Sequence, residues 1–260
     1  MPKKSLKIIK IGGNIINDDV LLHNFIKDFA QIDGAKILVH GGGKRATEIS
    51  ESMGVDAKMI EGRRVTDEST LEIVTMVYAG LLNKKIVAQL QELNCLALGL
   101  SGADVNSIQA HKRIVETIDY GFVGDIDAVN SEAINVFLAH EMTPVFCAIS
   151  HDKKGQLLNT NADTIAAEVA IAMSGIYEVE LNFVFELKGV LSSFTDKNSV
   201  IPFINFEQYE QLMQDGVIAD GMLPKMHNCF NALKRGVSSV KIGDQSMIAN
   251  GTMGTKLRLI

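Results

Sequence analysis

Three apolar runs in this chain stop on glycine. Leu6–Ile11 (LKIIKI) runs into Gly12-Gly13, Lys36–Val39 and His40 run into Gly41-Gly42-Gly43, and Cys95–Leu100 (CLALGL) runs into Ser101-Gly102. Each run is too short for a helix and reads as a buried strand. Helical periodicity follows the first two, over Asp18–Ile32 and Lys44–Met53. Strands that end on glycine and alternate with helices point to an α/β layer fold around a mainly parallel sheet. In such sheets ligands bind beyond the carboxyl ends of the strands, where bare backbone N–H groups and helix N-termini receive anions. Glycines that only make tight turns are the alternative.

The alternation continues to the end of the chain. Asp67–Asn94 is a long helical pattern with a break expected near Ala79-Gly80. Ser107–Val129 alternates like a small antiparallel excursion. Ser131–Glu141 and Asn161–Met173 read as helices, and Pro144–Ile149 and Val179–Phe185 as strands. Phe206–Gln214 and Met226–Arg235 are helical, and Ser239–Ile242 and Lys256–Ile260 are final strands. No repeat, linker or low-complexity stretch divides residues 1–260, so one domain is expected. Its two lobes, 1–175 and 176–260, join near Ser174–Glu178.

Composition excludes several classes. The 260 residues carry a net charge of −6, so no global field draws the chain to nucleic acid. No run approaches the roughly 18 apolar residues of a membrane span. The start, MPKKSLKIIKIGG, is a poor signal peptide. A cytoplasmic protein with no nucleic-acid or membrane partner is expected. Cys95, Cys147 and Cys229 lack metal-ligand spacing and read as buried thiols. No metal site is expected.

Several charged residues stand where a core or a helix dipole disfavours them. Lys10 lies inside an apolar strand, which needs a partner, a ligand anion, or a route to the surface. Lys225, in DGMLPK, falls in the first turn of a helix that Pro224 would open, and a cation there calls for a nearby negative charge. A structural salt bridge or a ligand would serve equally. Asn159–Asp163 (NTNAD) precedes an alanine-rich helix, so Asn161 or Asp163 would cap it. Arg63 and Arg64 precede a helix that Thr66 or Asp67 would cap; an arginine there holds a carboxylate or is simply solvated. No stretch fits G-x-x-x-x-G-K-[ST]. Gly41–Ala46 does satisfy G-x-G-x-x-A, with Glu61 about twenty residues on, which keeps a dinucleotide-binding oxidoreductase as a rival reading. Two lysines and several glycine anion sites favour phosphoryl transfer by electrostatic clamping.

The motifs KIGG, VHGGG, GRRVTD, LSGAD, GFVGDIDAVN, LLNTNAD and DGMLPK, in this order across nearly the whole chain, resemble the acetylglutamate kinases of the amino acid kinase superfamily. The resemblance implies a three-layer sandwich. It also implies ATP-dependent phosphorylation of the side-chain carboxylate of N-acetyl-L-glutamate in arginine biosynthesis, with N-succinyl-L-glutamate as the alternative acceptor. A non-catalytic ligand-binding relative is a further alternative. Lys10, Lys225 and Asp163 would be catalytic. Gly42, Gly43, Arg64 and Asn159 would bind substrate. Gly12, Gly13, Lys188, Gly189, Ile218 and Ala219 would bind ATP, with Mg²⁺ arriving on the nucleotide. Lobe 1–175 would bind the acyl amino acid and dimerise, and lobe 176–260 would bind the nucleotide. The short stretch before Lys10 implies a homodimer without arginine feedback. Phe185–Gly189 departs from the family's Thr-Asp or Ser-Asp pair. A succinyl group would call for a cation such as Arg63, His111, Lys112 or Arg113.

Overall fold

The structure, a computed structural model, describes residues 2–60, 63–193, 195–218, 222–249 and 254–260. The elements in chain order are β1 (Ser5–Ile11), α1 (Gly13–Ile16), α2 (Asp19–Ala30), β2 (Ala35–His40), α3 (Gly43–Ser52), β3 (Met59–Ile60), β4 (Arg63–Arg64) and α4 (Glu68–Thr75). A π-helical stretch, Met76–Leu82, joins α4 to α5 (Asn83–Glu92). Then come β5 (Ala97–Leu100), β6 (Ile108–Lys112), β7 (Gly124–Val129), α6 (Ser131–Ala139), β8 (Thr143–Cys147), β9 (Ile149–His151) and β10 (Leu157–Asn159). The last are α7 (Ala162–Ser174), β11 (Glu178–Val184), β12 (Phe203–Ile204), α8 (Phe206–Gln214), α9 (Met222–Lys234), β13 (Ser239–Gly243), α10 (Ser246–Ala249) and β14 (Thr255–Leu257).

An eight-stranded sheet runs β12-β14-β13-β11-β1-β2-β8-β5, and among the described residues only β13 and β14 pair antiparallel in it. Right-handed crossovers then sort the helices. Connections running from β1 towards β5 put α2 and α5 on one face, where they touch. Connections running back put α6, α7 and α9 on the other, where α7 touches both neighbours. The result is the expected three-layer α/β sandwich. Its centre is dry: Phe25, Phe29, Phe146, Phe183 and Phe230 are fully buried.

The chain's two halves meet between β1 and β11, which pair in register from Ser5↔Glu178 to Ile11↔Val184. Sequence neighbours β1 and β2 lie on one side of that seam and β11 on the other. This is a switch point of strand order, where an open α/β sheet leaves a crevice at its carboxyl edge.

Three expectations are corrected. The Asp67–Asn94 helix does not break at Ala79-Gly80; it widens into the π stretch and continues. Pro144–Ile149 is not one strand: β8 belongs to the large sheet, and after Ala148 the chain passes as β9 into a small sheet of order β10-β9-β6-β7. The last strand stops at Leu257, and helix α9 already includes Met222, so Pro224 is not its first residue. Pro224 still sits in the first turn, where the missing N–H leaves no intrahelical bond unmade.

A candidate active site at the carboxyl edge of the central strands

Lys10 lies near the end of β1, paired in register with Phe183 of β11. Its Nζ is 2.6 Å from Oδ1 of Asp163, and the Nζ of Lys225 donates to Oδ2 of the same carboxylate at 2.7 Å. The three side chains are only 13–17% exposed. Lys225 also sits over the Phe183 ring, 5.1 Å from its centroid. Burial alone would raise the Asp163 carboxyl's pKa, but the ammonium groups of Lys10 and Lys225 outweigh it and hold the carboxyl well below the usual range. Burial and the charge of Lys225 lower the pKa of Lys10, against the pull of Asp163. One anion between two cations leaves a net positive, half-dry site, which a polyanion would complete.

Local structure explains how Asp163 arrives there. The side chain of Asn161 accepts from the N–H groups of Asp163 and Thr164 and so caps α7. That settles the choice of cap and frees the Asp163 carboxylate for the lysines. Asn228 of α9 donates to Thr164 of α7 at 3.4 Å, next to the lysine clamp.

Immediately before Asp163, Asn161 and Ala162 help line a cavity of about 190 Å³ with Gly41, Gly42, Gly43 and Arg64. Sites for drug-sized ligands span roughly 300–1,000 Å³, so this size suits a small amino acid derivative better. Arg64 is buried. Its Nη2 donates to the Gly43 carbonyl at 2.8 Å and to Thr47 Oγ1 at 2.6 Å, which fixes the guanidinium plane. Its Nη1 is buried with no protein partner, the arrangement a ligand carboxylate would satisfy. Asn159 lines the same cavity and donates to Thr66 Oγ1 at 3.0 Å. Asp67, not Thr66, caps α4.

The triple glycine has two reasons. Gly42 has φ +154°, and a Cβ there would come within 2.4 Å of Leu82 and 2.8 Å of Tyr78. The π stretch beneath it therefore forbids a side chain. At Gly43 the nearest atoms to such a Cβ are 3.7 Å away or more, so its bareness opens the cavity. A buried polar chain supports the loop from below: Asn83 Nδ2 lies 3.1 Å from His40 Nε2, and His40 Nδ1 lies 2.8 Å from the Gly41 carbonyl oxygen. Burial pulls the His40 imidazole down to about 4, so it stays neutral, donating through Nδ1 and accepting through Nε2.

The expected nucleotide residues are more scattered. The Gly12 N–H already donates to the Val184 carbonyl at 2.9 Å, so that N–H is committed to the sheet and Gly12 would meet a phosphate only through its bare Cα. Gly13 opens the short α1. A Cβ on Gly189 would lie 2.7 Å from Thr255 Oγ1, which marks a packing glycine. Lys188 is exposed and Ile218 buried. Ala219 lies outside the described residues, as does Glu61, the expected ribose-binding acid of the dinucleotide reading. Of the candidate cations for a longer acyl group, Arg63 lines the cavity; His111, Lys112 and Arg113 do not line it, and their ion pairs are with Asp127, Asp119 and Asp125. All three cysteines are buried, and burial pushes Cys147 up to about 12. Sequence reasoning missed Tyr78, which lines the cavity from the π stretch. Its only signal was an aromatic beside Ala79-Gly80 in a helical pattern.

Comparison with known proteins gives a consistent picture. The Amino acid kinase family profile matches residues 5–244. The chain is 52% identical over 260 residues to the acetylglutamate kinase of Cytophaga hutchinsonii, covering 98% of both chains. It is 49% identical over 240 residues to that of Bacteroides fragilis, covering 92% of both. Among solved structures, the smu.665 protein of Streptococcus mutans is 27% identical and superposes with TM-score 0.79 over 98% of this chain and 99% of its own. The N-acetylglutamate synthase of Neisseria gonorrhoeae shares the fold at 18% identity and TM-score 0.84, with this chain matching 60% of its length.

Proposed function

The chain belongs to the amino acid kinase family, and from that premise we propose how its site works. The protein is an enzyme that transfers the γ-phosphoryl of ATP to the side-chain carboxylate of N-acetyl-L-glutamate, a step of arginine biosynthesis. The observation that carries this reading is the Lys10–Asp163–Lys225 clamp beside the cavity of Arg64 and Gly43, in a chain about half identical to acetylglutamate kinases over nearly its full length.

The acylated amino acid enters the cavity with its α-carboxylate on the open Nη1 of Arg64, its flanks against Gly42, Gly43 and Asn159, and its side-chain carboxylate towards the lysines. That carboxylate is already ionised, so no general base is needed. Its oxygen attacks the γ-phosphorus, the new O–P bond forms as the bond to the bridging oxygen breaks, and ADP leaves with the electron pair. Lys10 and Lys225 neutralise the charge spread over the transferring group. Asp163, with an oxygen on each lysine, is a positioning residue that spaces the two cations and keeps their net charge at +1.

The nucleotide lies on the 176–260 side of the seam, near Lys188, Gly189 and Ile218, with its phosphates towards Gly12 and Gly13. Residues 1–175 hold the acceptor. Mg²⁺ belongs to the triphosphate substrate; among the described residues no group of three His, Cys, Asp or Glu side chains is gathered to hold a metal. No described helix is long and apolar enough to cross a membrane, in keeping with a cytoplasmic enzyme. The homodimer expected for the family would use the edge strand β5, at whose start Leu96 is about half exposed.

A second reading keeps N-succinyl-L-glutamate as acceptor, its terminal carboxylate turned to the cavity wall that Arg63 lines. The test is ADP release with N-acetylglutamate, N-succinylglutamate, glutamate and aspartate. Turnover with N-acetylglutamate well above the free amino acids supports the proposal, preference for the succinyl compound supports the second reading, and no ADP release with any of them overturns both.

A further inference from the structure

Tyr78 has no place in the motifs that identify the family site, yet it stands in the cavity. It sits in the π stretch, where the Asn83 N–H reaches back five residues to the Tyr78 carbonyl. Such i→i+5 turns are rare and gather at functional sites. This wider turn puts Tyr78 and Leu82 together under Gly42, with ring atoms 2.8 and 3.0 Å from where a Gly42 Cβ would be. It also keeps Asn83 buried and directed to His40. The ring is therefore seated by packing, and its hydroxyl is carried up beside Gly43 and Arg64. A phenylalanine would keep the same ring under Gly42, so the packing does not require the hydroxyl; the hydroxyl instead meets the Arg64 side chain at the cavity. Burial raises the phenol's pKa, against the charge of Arg64 and a hydrogen bond with its side chain, so the phenol keeps its proton; its oxygen accepts from the Arg64 guanidinium and its proton is left to donate to a ligand.

We infer that Tyr78 is a substrate-binding residue, its hydroxyl donating to the α-carboxylate that the open Nη1 of Arg64 holds. The π turn is the device that delivers it. This rests on the proposed function of the cavity. An O–H donor and a guanidinium on one carboxylate make two charge-assisted bonds with different directions, which fixes the acceptor's rotation as well as its position.

The test is steady-state kinetics of the full chain carrying Tyr78→Phe, which keeps the ring on Gly42 and removes only the donor. The KM for N-acetylglutamate should rise about tenfold, as expected for one hydrogen bond to a charged group, with the KM for ATP and kcat within twofold. A competitor carrying an α-carboxamide in place of the carboxylate gives a second readout. The preference of the wild type for carboxylate over carboxamide should shrink in the variant by a similar factor, which a packing defect would not produce. An acceptor KM within twofold of wild type overturns the inference. So does a joint shift of both KM values and the melting temperature, which would make Tyr78 a packing residue. A wild-type chain that releases no ADP with any acylglutamate fails the function itself; an active wild type with an unmoved Tyr78→Phe fails Tyr78 alone.

Discussion

Lys10 and Lys225, from opposite ends of the chain, are held side by side because each takes one oxygen of the Asp163 carboxylate, at 2.6 and 2.7 Å. The pairing crosses the β1/β11 seam and joins the two halves of the sheet through charge as well as through backbone. Asp163→Asn keeps the shape and removes the anion, leaving two cations facing each other in a half-dry site. Breaking a buried ion pair from one side costs about 3–5 kcal/mol, so urea unfolding at neutral pH should show a loss of about 3 kcal/mol. Turnover should fall by about a hundredfold or more. Because the carboxyl's folded pKa is depressed, its contribution is present above the ordinary carboxylate range near pH 4 and is lost only on further acidification. A variant as stable and active as wild type would show that the carboxylate does not organise the lysines.

Arg64→Lys tests the acceptor cavity. A lysine keeps the charge but cannot bond Gly43 and Thr47 while offering a second nitrogen in the same plane. The KM for N-acetylglutamate should rise about tenfold to a hundredfold, with the KM for ATP nearly unchanged. Equal effects on both substrates would move Arg64 out of the acceptor site.

His40 gives the fold a pH dependence of definite sign. Its folded pKa of about 4 lies below the unfolded value of 6.5. Between these values the unfolded chain binds a proton that the folded chain does not, so stability rises with pH across this window and falls on acidification. The change is about 3 kcal/mol from pH 6.5 to 4. His40→Gln, which cannot titrate, should flatten this part of the curve by about one proton. An unchanged slope in the variant would assign it to other groups.

Much of this was legible in the residues. The alternation of strands and helices is written in local periodicity. Lys10 and Lys225 stood out because burial and a helix dipole each disfavour an unpartnered cation, and Asp163 is the partner both required. What local patterns do not carry is registry between distant segments. Whether Gly12 offers its N–H to a ligand depends on β11 lying alongside, and Val184 takes it. Whether residues 143–151 form one strand or two depends on the small sheet that β9 joins. The π turn at Met76–Leu82 follows from what Gly42 and His40 require of the helix beneath them, and a helical pattern looks the same with or without it.

The most direct test of the account is a double-mutant cycle on turnover with ATP and N-acetylglutamate, using Lys10→Ala, Lys225→Ala and the double variant. If the two ammonium groups stabilise one transferring phosphoryl as a unit, each single change should lower kcat by about a hundredfold or more, with ATP binding much less affected. The double variant should then be only slightly worse than the poorer single one. Single variants within a few-fold of wild type, or effects that simply multiply in the double variant, would contradict the claim that Lys10 and Lys225 act together.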